Sequence, residues 1–187
     1  MAIWQPTNEH ISTPPISPQE ISLEVNWFAI QTRARHEKKV EAHLREKGIR
    51  AFLPLSNEVH QWSDRRKLVH QPLFAGYLFV NIPSSPEVRN AVLSTMGVCW
   101  FVGNGGQGLP IPDKQIQDIE TILSSEAPAV PHPFVRIGER VRIKGGCLDG
   151  VEGILVAKDD DRCVVVSIEL VRRSLAIRID GYDLEKA

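Results

Sequence analysis

Cysteine is scarce in this sequence of 187 residues, and the three present, Cys99, Cys147 and Cys163, are far apart with no C-x-x-C spacing. An odd number without paired spacing argues against a disulfide framework or a zinc knuckle and points to free thiols in a reducing compartment. Also missing is any run approaching the roughly eighteen apolar residues of a membrane helix. The opening residues, MAIWQPTNEH, lack the basic and apolar stretches of a secretory leader. A cytoplasmic protein without a membrane partner is therefore expected. Catalytic patterns are absent too. His36, His43, His60 and His70 form no short motif with one another or with the cysteines, and Gly103-Asn104-Gly105-Gly106-Gln107-Gly108 lacks the Lys-Ser or Lys-Thr ending of a phosphate loop. Asp159-Asp160-Asp161 reads as a solvated turn, because three consecutive carboxylates point different ways. No enzymatic activity, catalytic residue, metal or cofactor is expected.

An excess of charge of one sign is likewise missing, since the formal net charge is −1. That argues against a protein that coats nucleic acid, but the balance is uneven along the chain. Residues 1–24 carry three glutamates and no Lys or Arg, residues 25–67 carry ten Lys or Arg against five Asp or Glu, and residues 134–187 carry ten of each. A local cationic patch on a neutral chain suits light contact with a phosphate backbone while another partner supplies affinity; it equally suits a solvated surface.

What is present, 42% hydrophobic and 24% charged residues, is the composition of a globular chain. Residues 1–24, with four prolines among Ser, Thr and Gln, read as a disordered extension. Residues 125–133, with Pro128, Pro131 and Pro133, read as a semi-stiff linker between a domain at 25–124 and a smaller one at 134–187. In the first domain, residues 25–32 have strand character. Val40 and Leu44 then give a helical stripe, with Glu41 and Arg45 as an i,i+4 pair and Gly48 as the C-terminal cap. Strands follow at 49–54 and within 67–82, with a polar hairpin between them. Ser84-Ser85-Pro86-Glu87 starts a second helix whose Val88, Ala91 and Val92 face inward. Residues 98–102 form another strand, and Ile116, Ile119 and Leu123 mark a third helix. This alternation predicts an α+β sandwich, with helices on a mainly antiparallel sheet of about four strands. The smaller domain, with short strands at 140–143, 153–157, 163–168 and 175–179 between glycine-rich turns, predicts a small β-barrel.

Two stretches carry a family resemblance. Gln71-Pro72-Leu73-Phe74-Ala75-Gly76-Tyr77-Leu78-Phe79-Val80 resembles the P-L-F-x-G-Y-x-F-V signature of the NusG N-terminal (NGN) domain. Gly138-Glu139-Arg140-Val141-Arg142-Ile143, with Gly146, Asp149-Gly150 and Gly153-Ile154, resembles the KOW motif. The likeness runs from about Trp27 to the C-terminus, and Ala75 departs from the proline usual between Phe and Gly. The N-terminal extension and the residues ahead of the signature suggest a specialised paralogue of the RfaH or capsule-operon antiterminator type.

The resemblance implies a monomeric, non-enzymatic transcription elongation or antitermination factor. Its N-terminal domain would bind the clamp coiled coil of RNA polymerase and suppress pausing or termination. The receiving surface has to be an apolar, aromatic depression, open in the free protein or covered by another element. By motif position Phe74 and Tyr77 would line it, with Trp27, Leu73 and Phe101 near; the same rings also suit core packing. Arg33 and the series Arg35, Lys39 and His43, four residues apart on the first helix, would face the non-template DNA strand of the transcription bubble. The Trp62-to-Lys67 hairpin, with Arg65, Arg66 and Lys67, suits DNA or an ordinary polar loop. The KOW domain would recruit a ribosomal small-subunit protein or a termination factor. Its Ile143, Leu148, Val151 and Ile154 belong by weight to the barrel core. Because Cys163–Ile168 is rich in β-branched residues, a barrel is expected over the α-helical hairpin that some members form. The alternative is a KOW-containing RNA-binding or ribosome-associated protein without polymerase contact.

Overall fold

A strand with buried side chains on both faces needs cover above and below it, and β1 (Val25–Thr32) is such a strand. After it come α1 (Glu37–Glu46), β2 (Arg50–Phe52), β3 (Leu55–Gln61), β4 (Arg66–Pro72), β5 (Tyr77–Pro83), α2 (Pro86–Leu93), β6 (Val98–Phe101), β7 (Pro110–Ile111) and α3 (Asp113–Ser124). The C-terminal part contains β8 (Ala129–His132), β9 (Glu139–Lys144), β10 (Glu152–Lys158), β11 (Asp161–Ile168), β12 (Arg173–Arg178) and β13 (Asp183–Lys186). The structure is a computed structural model that describes residues 24–61, 66–125, 127, 129–135, 138–158, 161–179 and 181–187. The extension expected before Glu24, the hairpin tip from Trp62 to Arg65, and Asp159 and Asp160 of the acidic turn lie outside the described residues.

The first sheet has the order β2-β5-β1-β6, all antiparallel, with β7 pairing to the start of β1. Alternation divides its side chains cleanly. Phe28, Ile30, Leu78, Val80, Ile82 and Phe101 face one way, onto Val40 and Leu44 of α1 and Val92 of α2. Trp27, Ala29 and Phe79 face the other way, toward Ile116, Ile119 and Ile122 of α3. Helix α1 ends as its sequence suggests: Gly48 takes φ +73, and the N–H groups of Gly48 and Ile49 donate to the carbonyls of Arg45 and Leu44. The Glu41–Arg45 pair closes at 2.9 Å. Lys47 Nζ ties α1 to α2 through the Ala91 carbonyl and Thr95 Oγ1, both at 2.8 Å.

The second sheet has the antiparallel order β13-β9-β10-β11-β12-β8 over a core that includes Ile143, Leu148, Val151, Val164, Val166 and Leu175. The α+β N-terminal part and β-rich C-terminal part are those expected, and Cys163–Ile168 is strand, as its β-branched residues require. Ile143, Leu148 and Val151 are buried, whereas Ile154 is partly exposed.

Three local expectations are corrected. Helix α1 begins at Glu37, so Arg35 stands outside it in a turn at φ +62. The stretch 67–82 is two strands: β4 leaves the main sheet to pair with β3, and the chain turns at Leu73–Gly76 before β5 enters it. Within the expected linker, Ala129–His132 pairs with β12, a position at the sheet edge that tolerates Pro131.

Gly97, at φ +100, seats the turn after β1: a Cβ there would lie 2.8 Å from Val40 Cγ2 and 3.3 Å from His36 Cβ. Gly97→Ala is therefore expected to lower unfolding free energy by about 1–3 kcal/mol. Urea denaturation checks this; an unchanged midpoint would mean that the turn yields without cost.

Candidate functional site

The turn inside the aromatic signature is fastened from two directions. The Thr32 N–H donates to the Gly76 carbonyl (2.9 Å), and the Gly76 N–H donates to the Glu37 carboxylate (2.8 Å). Glu37 is buried in spite of its charge, and its place in the first turn of α1 puts it at the favourable end of the helix dipole. Gly76 takes φ +81, which a residue with a side chain adopts only with strain. Ala75, where the family commonly has proline, is exposed. The clamp at Gly76 thus fixes the turn where the proline is missing.

Around this turn the aromatic side chains meet. Phe74 packs edge-on against Phe79 (6.0 Å, 90°), and Trp27 packs edge-on against Phe52 (6.3 Å, 69°). Such pairs are each worth about 0.5–1.5 kcal/mol beyond the area they bury. The Arg50 guanidinium stacks 5.0 Å above Trp27 and reaches Glu120 of α3. Trp27, Leu73 and Phe74 are only 5%, 7% and 1% exposed. These three side chains are covered in this structure. One continuous apolar cluster passes from Trp27 and Phe79 through α3 into the core of the C-terminal β-domain.

A polar seam accompanies this cluster. Lys114 bonds to Asp118 one turn later and also donates to the Gly150 carbonyl of the β-domain (2.7 Å). Gln115 Oε1 accepts the Glu169 N–H (3.2 Å). Arg173 of the β-domain lies 5.9 Å from the Tyr77 ring centroid, leaving Tyr77 half-buried. A cleft of about 770 Å³ runs beside the seam, lined by residues that include Pro112, Asp118, Phe134, Arg140 and Glu152. Contact between the two parts is therefore incomplete, which makes separation less costly than opening a close-packed core. Sequence reasoning does not single out Lys114, Gln115, Asp118 or Arg173. The i,i+4 spacing of Lys114 and Asp118 is the available signal, but it does not show that Lys114 also bonds to another domain.

Phe101 does not join this face. Its partner across the sheet is Ile30, and it packs with Phe28 (6.1 Å, 84°) on the α1–α2 side, where Arg89 stacks over both rings. In a strand only one of two consecutive residues can face a given side, and on β6 the residue facing the Trp27 side is Trp100.

The cations are more dispersed than a single helical stripe. Arg33 is exposed, and its N–H donates to the Gly97 carbonyl (2.8 Å), so it sits where β1 meets the entry to β6. Arg35 is exposed on the strained turn. Lys39 and His43 lie on α1, exposed and half-exposed. Among the described residues Arg33, Arg35 and Lys39 enter no ion pair. Arg66 and Lys67 open β4, paired with Gln61 and His60, while Arg65 lies outside the described residues. Among the described residues, no three His, Cys, Asp or Glu side chains are grouped to hold a metal, and no helix is long and apolar enough to cross a membrane.

Comparison with known proteins agrees with this architecture. A family model described as transcription termination factor nusG matches residues 25–120. The transcription termination/antitermination protein NusG of Bacillus subtilis is 30% identical over 176 residues, covering 88% of this chain and 99% of that protein. The protein of the same name from Lactococcus lactis is 27% identical over 177 residues, covering 88% and 95%. A solved structure described as "Domain interaction in Thermotoga maritima NusG" superposes with a TM-score of 0.52 at 23% identity, covering 82% of this chain and 93% of the other.

Asp118 gives the seam a titratable group. Burial pushes the Asp118 carboxyl above its ordinary value of 3.8, against the opposing pull of Lys114 and the Glu152 N–H. A carboxyl whose pKa is raised by burial favours the buried arrangement when protonated. Docking should then weaken as pH rises above the ordinary carboxylate value toward neutrality. Small-angle scattering between pH 4 and 7 is expected to show expansion, flattened in Asp118→Asn. Contraction with rising pH would contradict this.

Proposed function

This chain belongs to the NusG family, and on that premise we propose that it is a transcription elongation and antitermination factor that docks on the clamp coiled coil of RNA polymerase. The observation that carries the reading is the aromatic face of the first sheet, beside the Gly76 clamp, packed under α3 and met at Tyr77 by Arg173 of the β-domain. A coiled coil presents apolar ridges at helical spacing, and the face that holds Trp27, Leu73, Phe74 and Tyr77 offers aromatic anchors for them once uncovered. The cover meets α3 through an incomplete seam. The polymerase helices compete with the β-domain for this face, so docking on polymerase releases the β-domain.

Release gives the β-domain its own role. Once detached it is free to recruit a ribosomal small-subunit protein or a termination factor, while the N-terminal domain stays on the enzyme. Arg33, Arg35, Lys39 and His43 contact the non-template strand, with the cations neutralising phosphates and the imidazole reaching a base. With no ion pairs to break among the described residues, these cations exchange water for phosphate at little cost. Holding the strand at the edge of the bubble, together with the grip on the clamp, opposes the opening that accompanies pausing.

Two measurements test this. In pull-downs with core polymerase, Tyr77→Ala is expected to weaken binding about tenfold or more, while Arg173→Ala, which loosens the cover, strengthens it. Equal affinity in both folded variants would overturn the docking face. Arg33→Ala with Lys39→Ala is expected to reduce pause suppression in an elongation assay. In that variant the salt slope of single-strand binding should fall by about 0.7 for each phosphate that is no longer neutralised. A variant that changes only its unfolding temperature would show these cations to be structural.

A further inference from the structure

The strand register extends the aromatic face beyond the anchors named above. Gln31 of β1 is paired with Tyr77 of β5 on one side and with Trp100 of β6 on the other. Directly paired residues point to the same face of a sheet, so Tyr77, Gln31 and Trp100 form one line across it, on the side of Trp27 and Phe79. The two ends of the line differ. At Tyr77 the β-domain is present through Arg173, whereas Trp100, on the edge strand, is 50% exposed.

Trp100 is the only aromatic residue among the exposed large hydrophobics of the described residues, and it belongs to neither core cluster. Nothing in the packing of this domain accounts for a large indole half in water at a sheet edge. Its surroundings point to a protein partner more than to a nucleic acid. Residues 94–109 carry no Lys, Arg, Asp or Glu, and Met96 just before the strand is 71% exposed. The segment itself carries no charge, the cation Arg33 stands beside it with its backbone N–H bonded to the Gly97 carbonyl, and the row joins Trp100 to Tyr77 through the uncharged Gln31.

We propose that Trp100 is the open end of the polymerase-docking face, an anchor that an apolar ridge of the clamp's helical hairpin engages while the β-domain still covers Tyr77. The inference rests on the docking reading above and adds an order of events. Trp100 makes first contact from the sheet edge, and the helices then advance along the row toward Gln31 and Tyr77 as Arg173 withdraws. Tryptophan suits this role, because it contributes a large contact area with little side-chain entropy to lose.

The test uses the full chain and core RNA polymerase. Association rates are measured for the wild type, W100A, W100K and W100F, with thermal unfolding followed in parallel. The expected result is an association rate about tenfold lower in W100A and W100K, near wild type in W100F, with unfolding temperatures unchanged. W100K guards against loss of fold in W100A, since a charged side chain at an exposed edge position is well tolerated. An unchanged association rate in folded W100A and W100K, with the wild type binding polymerase, overturns this inference and leaves the docking reading standing. It is also overturned if W100A loses affinity for a short single-stranded DNA or RNA while polymerase association is retained. Failure of the wild type itself to bind polymerase overturns both.

Discussion

Helix α3 is used on more than one side, and the rest of the molecule is arranged around that demand. Ile116, Ile119 and Ile122 turn inward, joining the aromatic face of the first sheet to the core of the β-domain, while Lys114, Gln115 and Asp118 meet backbone groups of the β-domain. A helix with a single apolar stripe would finish the N-terminal domain and leave the other part free. The polar seam makes the junction specific, because its hydrogen bonds form only where Lys114 and Gln115 meet particular backbone groups of the β-domain. Since its hydrogen bonds can be exchanged for water, the seam is also the part of the junction that separates at least cost.

The signature turn is a second constraint, local where the first is global. Leu73 and Phe74 have to leave the β3–β4 ribbon and enter the main sheet within a few residues, a change of direction that a left-handed residue at Gly76 allows. Glu37 then fixes that residue to the start of α1. The same contact brings the cationic turn, the helix and the aromatic face to one end of the sheet, so all three are held by one scaffold.

Much of this was legible in the chain. Val40 and Leu44 at helical spacing, Gly48 as a cap, Pro86 opening a helix and the glycine-punctuated strands beyond residue 138 all express local rules of backbone geometry, and each is found where those rules place it. The departures share a different cause. The stretch 67–82 is β-like throughout, and only the exit of β4 to a separate ribbon divides it. Arg35 fits a four-residue series with Lys39 and His43, but the turn seated on Gly97 holds it at positive φ outside the helix. Phe101 and Trp100 are adjacent aromatics, and the pairing of Ile30 with Phe101 turns Phe101 to the α1–α2 side, away from Trp27 and Phe79. In each case the deciding partner lies far away in sequence.

The amino-acid sequence by itself determined that the chain would form an α+β domain followed by a β-rich one, and which turn would carry the aromatic signature. Those outcomes follow from propensities and periodicities that act within a few residues. Only the tertiary structure decided which side of the sheet each ring faces, that Ala129–His132 joins the second sheet as its edge, and that the aromatic face is covered rather than open. Facing and covering depend on strand register and domain contact, interactions between residues far apart in the chain whose strength local pattern does not encode.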